Sequence, residues 1–115
     1  KRLFEFIENN KIGGVVLVGG DIHRTRALKH ESAATGISYP MYEVVTSPLG
    51  TNVHANANVA HSSLIFDAGE PHSFCVMTAD SLTDPKNSKL TIRWQNAAGK
   101  ELFALVLNAS ELQTK

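Results

Sequence analysis

This chain is short of the features that would assign it quickly. Its one cysteine, Cys75, can form no internal disulfide, and in the apolar setting Phe74-Cys75-Val76-Met77 the thiol reads as a core side chain. It has no net charge, since eleven Lys and Arg balance eleven Asp and Glu. That balance leaves no electrostatic footprint for nucleic acid or for an anionic membrane, although local charge suffices for a small phosphate-bearing molecule. No aliphatic run approaches the roughly 20 residues that cross a bilayer as a helix. Internal repeats, low-complexity tracts and linkers are lacking. None of the histidines has the tight spacing of an H-E-x-x-H or C-x-x-C site. Ser47 lacks the G-x-S-x-G surroundings that would make it a nucleophile. What is present is 43% apolar content in 115 residues, enough for one domain, 1–115, with a small core.

The most telling stretch is Gly14-Val15-Val16-Leu17-Val18-Gly19-Gly20-Asp21-Ile22-His23. Val15 to Val18 have no polar face, the pattern of a strand buried on both sides. Two glycines then allow a sharp turn, and ligands of open α/β sheets sit beyond the carboxyl ends of such strands. Before this strand, Leu3, Phe4 and Ile7 fall on one helix face, with the helix running to about Asn10. Lys1 and Arg2 oppose the macrodipole and no capping residue precedes them, so the helix is expected to enter from a longer parent chain.

Beyond the motif, Arg24 to Glu31 has Leu28 as its only strongly apolar residue and is expected to be an exposed strand or a loop. Gly36 to Pro40 signals a turn, and Met41 to Thr46 has strand composition. Residues 47–63 are polar and rich in Ala, Asn and His, a long loop of the kind that hangs over a site. Ser73 to Ala79 reads as a strand, Asp80 to Ser88 as a connection. Leu90, Ile92 and Trp94 alternate with polar residues, and Leu90 to Leu107 forms a hairpin around Asn96-Ala97-Ala98-Gly99. The fold class is α+β: a helix, a buried strand, then mostly antiparallel strands.

Asp21 and His23 are i, i+2 neighbours. On a strand they point the same way, and a carboxylate with an imidazole suits a hard or borderline cation. The competing reading is a structural Asp in a turn with a hydrogen-bonded His behind it, and periodicity does not separate the two. His30, His54, His61 and His72 read as loop residues, though His54 or His61 could be recruited as extra ligands of a mononuclear hydrolase. Arg24 and Arg26 could meet a phosphate through planar, charge-assisted bonds, or simply be solvated.

The order of helix, Gly14 to His23, Tyr39-Pro40-Met41-Tyr42-Glu43-Val44-Val45-Thr46-Ser47-Pro48-Leu49 and β-rich tail resembles the C-terminal part of PhoD-like alkaline phosphatases, of the calcineurin-like metallophosphoesterase superfamily. Gly20-Asp21-Ile22-His23 is the most specific part of the likeness, standing where other members carry Gly-His-x-His; the tail matches only in pattern. The resemblance implies the C-terminal part of a metallophosphoesterase-type β-sandwich flanked by helices, holding two or more divalent or trivalent ions, such as Fe with Ca, or Zn or Mn. It implies phosphoester hydrolysis in which the cations activate water, orient the phosphate and stabilise the leaving oxygen. Asp21 and His23 would be the catalytic metal ligands, or one a ligand and the other its close neighbour, and Arg24 would bind substrate at the mouth. An extracytoplasmic location, periplasmic or secreted, follows from the resemblance alone.

The earlier metal motifs of that family have no counterpart here, and two ligands do not hold a binuclear centre. The chain by itself is therefore expected to be catalytically silent and, with sheet edges and apolar faces uncovered, to self-associate. The alternative from another class is a stand-alone β-rich binding or interaction module in which Asp21 and His23 are structural.

Overall fold

The computed structural model describes residues 1–115. Helix α1 (Arg2–Asn9) has no side-chain cap at its start, and it is held in place by tertiary contacts instead. Ile7 is buried and Phe4 half-buried, while Leu3 stays exposed, so the inward face is narrower than the expected Leu3, Phe4 and Ile7 stripe. Glu8 pins the helix to the turn before the third strand, accepting hydrogen bonds from the Ser38 amide at 2.9 Å and the Ser38 hydroxyl at 3.0 Å.

Seven strands follow. β1 (Val16–Gly19), β2 (Thr25–His30), β3 (Met41–Val45) and β4 (Leu64–Ala68) form one sheet in the order β1-β3-β2-β4. A short helix, α2 (Ser32–Thr35), links β2 to β3. β1 runs parallel to β3, and the other pairings are antiparallel, with a bulge at Ala27/Leu28 where β2 meets β4. β5 (Ser73–Asp80), β6 (Lys89–Asn96) and β7 (Glu101–Asn108) form a second, antiparallel sheet in sequence order. The expected hairpin between Leu90 and Leu107 is its β6–β7 half. The chain is thus β-rich, one mixed and one antiparallel sheet with few helices.

The sheets pack through Trp94 of β6, which has no exposed surface. Its ring centroid lies 5.8 Å from that of Phe66 on β4 and 5.7 Å from that of Phe103 on β7, and its indole N–H donates to the Val45 carbonyl of β3 at 3.2 Å. Residues directly opposite in an antiparallel ladder share a face, so Ile92 and Leu107 point the same way as Trp94 and extend the layer. The core cluster also takes in Ile7, Ile37, Tyr39, Met41, Val44 and Leu112, and so joins both ends of the chain to both sheets.

Three elements differ from the sequence expectations. β1 is an edge strand, paired only with β3. Val16 and Leu17 are half-buried and Val18 is 62% exposed, so the strand is not dry on both sides. β2 is neither exposed nor a loop: it lies between β3 and β4, and Thr25, Arg26, Ala27 and Leu28 are all buried. Its polar members are buried because they are bonded. The Thr25 hydroxyl donates to the Ser47 carbonyl at 3.1 Å and lies 3.0 Å from the Ser73 hydroxyl, while Arg26 pairs with Asp67. The third, β4, begins straight after the expected loop and was not expected as a strand.

No helix is long and apolar enough to cross a membrane.

Candidate functional site

β1 and β2 are not neighbours, because β3 lies between them. Gly19 pairs with Val45 on one side and Arg26 pairs with Val45 on the other, so residues 20–24 must arch over the carboxyl end of β3. The span is two strand spacings, about 10 Å. The arch is tied down at both feet: the Thr46 amide donates to the Gly19 carbonyl at 3.1 Å, and the Arg24 amide donates to the Ser47 hydroxyl at 3.3 Å. Gly20 passes so close that a Cβ there would stand 3.1 Å from the Thr46 carbonyl oxygen.

Asp21 and His23 sit on this arch and not on the strand, which corrects the reasoning that strand alternation aligns them. Both have positive φ, 67° and 55°, in the left-handed region. Asp and His tolerate that region better than most side chains, yet two such residues in five still cost on the order of 1 kcal/mol each. Strain of this kind persists where the surroundings hold it in place, and it gathers at functional sites. The Asp21 carboxylate is exposed and forms neither hydrogen bond nor ion pair within the chain.

His23 is held from the loop that follows β3. Its Nδ1 lies 2.7 Å from the Asn52 carbonyl oxygen, and the His54 amide donates to the His23 carbonyl at 3.3 Å. A carbonyl oxygen can only accept, so Nδ1 carries a proton, and in the neutral ring the lone pair is on Nε2. The His54 ring stacks on the His23 ring, centroids 4.1 Å apart and planes 14° from parallel. Of the four other histidines, His54 alone stacks on His23. His61 turns edge-on to His30, and His30 Nε2 donates to Glu43 at 3.0 Å. His72 lies 3.3 Å from the Leu49 carbonyl.

Beside His54 an open groove of about 580 Å³ is lined by Ile22, Val53, His54, Ala55, Asn56 and Ala57.

Arg24 is committed. Its Nε and Nη2 grip Asp67 of β4 in a two-point fork at 2.6 and 3.0 Å, and Arg26 Nε reaches the same carboxylate at 3.2 Å. Partial burial pushes the Asp67 carboxyl up, but the hydrogen bond and charge of Arg24, reinforced by Arg26, outweigh that and hold it below the ordinary aspartate value. Asp67 was missed in the sequence. The signal was there in Leu64-Ile65-Phe66, an apolar run between Ser62-Ser63 and Gly69 that marks the strand carrying it.

The donors on the arch suit a cation: an imidazole with its outer nitrogen free, its inner N–H on a carbonyl as in metal-ligating histidines, and an unpaired carboxylate two residues away. Yet no three His, Cys, Asp or Glu side chains are grouped so as to hold a metal ion. Comparison with protein-family models, curated proteins and solved structures finds no match to this chain.

Proposed function

We propose that this chain contributes the Gly20-Asp21-Ile22-His23 ligand segment of a metal-dependent phosphoesterase, and that the remaining ligands come from polypeptide beyond these 115 residues. The observation that carries this reading is the state of His23: its Nδ1 is spent on the Asn52 carbonyl, which leaves Nε2 as the free nitrogen of the ring, two residues along the chain from the exposed Asp21 carboxylate. The resemblance noted in the sequence supplies the reaction class and, with it, the metallophosphoesterase-type sandwich.

On this reading Asp21 and His23 hold one edge of the metal centre, and the bound cation would polarise a phosphoryl group and neutralise its charge. The contacts with Asn52 and His54 hold the His23 ring before anything binds, so little ordering entropy is spent on that donor, whereas the exposed Asp21 carboxylate is ordered on binding. Arg24, with its fork already on Asp67, would act on a phosphoester through the excess positive charge of the Arg24–Asp67–Arg26 cluster rather than through a two-point grip of its own. The extracytoplasmic location implied by the resemblance belongs to the same proposal.

Adding Mn²⁺ to the full chain should broaden the NMR signals of Asp21 and His23 selectively, and Asp21→Ala or His23→Ala should abolish the effect. A colorimetric phosphatase assay of the chain with added divalent or ferric ions should show no turnover above background; robust turnover would sink the claim that further ligands are needed. The alternative of a self-standing binding module is favoured by one observation, the continuous core that spans both sheets. In that case Mn²⁺ leaves both residues unaffected.

A further inference from the structure

We infer that His54 is a positioning residue for His23: it orients the imidazole by stacking on it and is not itself a ligand of the same ion. This rests on the metal reading above and deepens it.

The argument begins with the freedoms of a histidine ring. A hydrogen bond at Nδ1 fixes which nitrogen carries the proton, but leaves the ring plane able to rock about that bond. The His54 face, 4.1 Å away and 14° from parallel, blocks the rocking. Both constraints come from one short piece of loop, Asn52 to His54, which also donates the His54 amide to the His23 carbonyl. The loop therefore grips backbone, proton and plane of one residue.

The same geometry rules out shared ligation. An imidazole lone pair lies in the plane of its ring, and ligating nitrogens sit about 2.0–2.1 Å from the ion. An ion in the plane of one of two nearly parallel stacked rings lies well out of the plane of the other, beyond bonding reach of its lone pair. His54 thus acts through His23. Because His54 also lines the 580 Å³ groove, a molecule seated there touches the residue that aims His23.

Two substitutions separate a stacking face from a donor nitrogen. His54→Phe keeps an aromatic face and removes both nitrogens; His54→Ala removes everything. Two readouts are taken on the full chain: the His23 tautomer from ¹⁵N shifts without metal, at about pH 9 where imidazole is neutral, and the affinity for Mn²⁺. The unsubstituted chain should show His23 almost wholly as the Nδ1–H form. His54→Ala lets the ring rock off the Asn52 carbonyl, and so should shift the tautomer toward a mixture and weaken Mn²⁺ by about tenfold, the lower end for loss of a group that orients a ligand. His54→Phe should restore both.

The inference is overturned if His54→Ala leaves tautomer and affinity unchanged, or if His54→Phe is as damaging as His54→Ala, since the nitrogen and not the face would then matter. If Mn²⁺ does not perturb His23 in any form while the tautomer still follows residue 54 as described, the metal reading falls and the positioning role stands.

Discussion

Asp67 takes two guanidinium groups on one carboxylate while only partly open to water, and this makes it the residue with the clearest acid signature. Its folded pKa is held below the unfolded value near 3.8. The stabilisation it contributes is therefore complete above that value and is lost as pH falls through the lower folded value. Asp67→Asn leaves Arg24 and Arg26 without their counter-charge, at a cost of about 2 kcal/mol. Urea denaturation at neutral pH measures that loss, and the gap between the two proteins should begin to narrow as pH falls below 3.8, where the unfolded carboxyl protonates, and close once the native carboxyl protonates at lower pH still. An unchanged gap would mean that Asp67 does not hold the pair. The sequence displayed both arginines but not their partner, because 41 and 43 positions separate Asp67 from them and ion pairing leaves no periodic trace. For the same reason β2 was misread: apolar counting scores Thr25 and Arg26 as wet, whereas bonding to Ser47, Ser73 and Asp67 lets them be buried.

At the scale of elements, the arch over β3 holds the interest. The sequence located the end of β1 just ahead of Asp21 and His23, since an aliphatic run closed by two glycines marks a strand terminus, but it read the two residues as strand neighbours. It did not show that both residues adopt left-handed backbone, a conformation set by the need to cross a strand in five residues. Gly20→Val drives a branched side chain against the Thr46 carbonyl and should cost on the order of 1–2 kcal/mol. Hydrogen exchange at the Thr46 amide, bonded to Gly19, should then quicken while the β6–β7 hairpin stays protected. Uniform loss of protection would show that the arch is not a separate unit. The hairpin was legible because its alternation is strict and its turn contains Gly99. β1 was only half legible, since a strand with two apolar faces reads the same whether covered or at an edge.

For the whole molecule, stability centres on Trp94. Trp94→Ala removes the ring that Phe66 and Phe103 both meet and should cost about 3–5 kcal/mol in thermal or denaturant unfolding, against about 0.5 kcal/mol for Val76→Thr at an exposed position. The alternation around Trp94 marked one buried face on the β6–β7 hairpin, but the residues alone read as an antiparallel run finishing a single mixed sheet; the separate second sheet and the partner strand β4 were not visible in them. The outer side of β1 is an unpaired edge bearing exposed Val18, which invites pairing between chains. We expect sedimentation velocity to show concentration-dependent association, reduced by Val18→Lys. Association unaffected by that change would place the contact elsewhere.

The arch also separates two kinds of selection. Its five residues contribute nothing to the hydrophobic cluster, and its side-chain ties to the scaffold come from His23 and Arg24, leaving Asp21 and Ile22 with none. Mutations at Asp21 or Ile22 can thus accumulate without endangering the body beneath, whereas those at Thr25 or Val44 cannot. New chemistry could be tried at this spot while the architecture stays under purifying pressure.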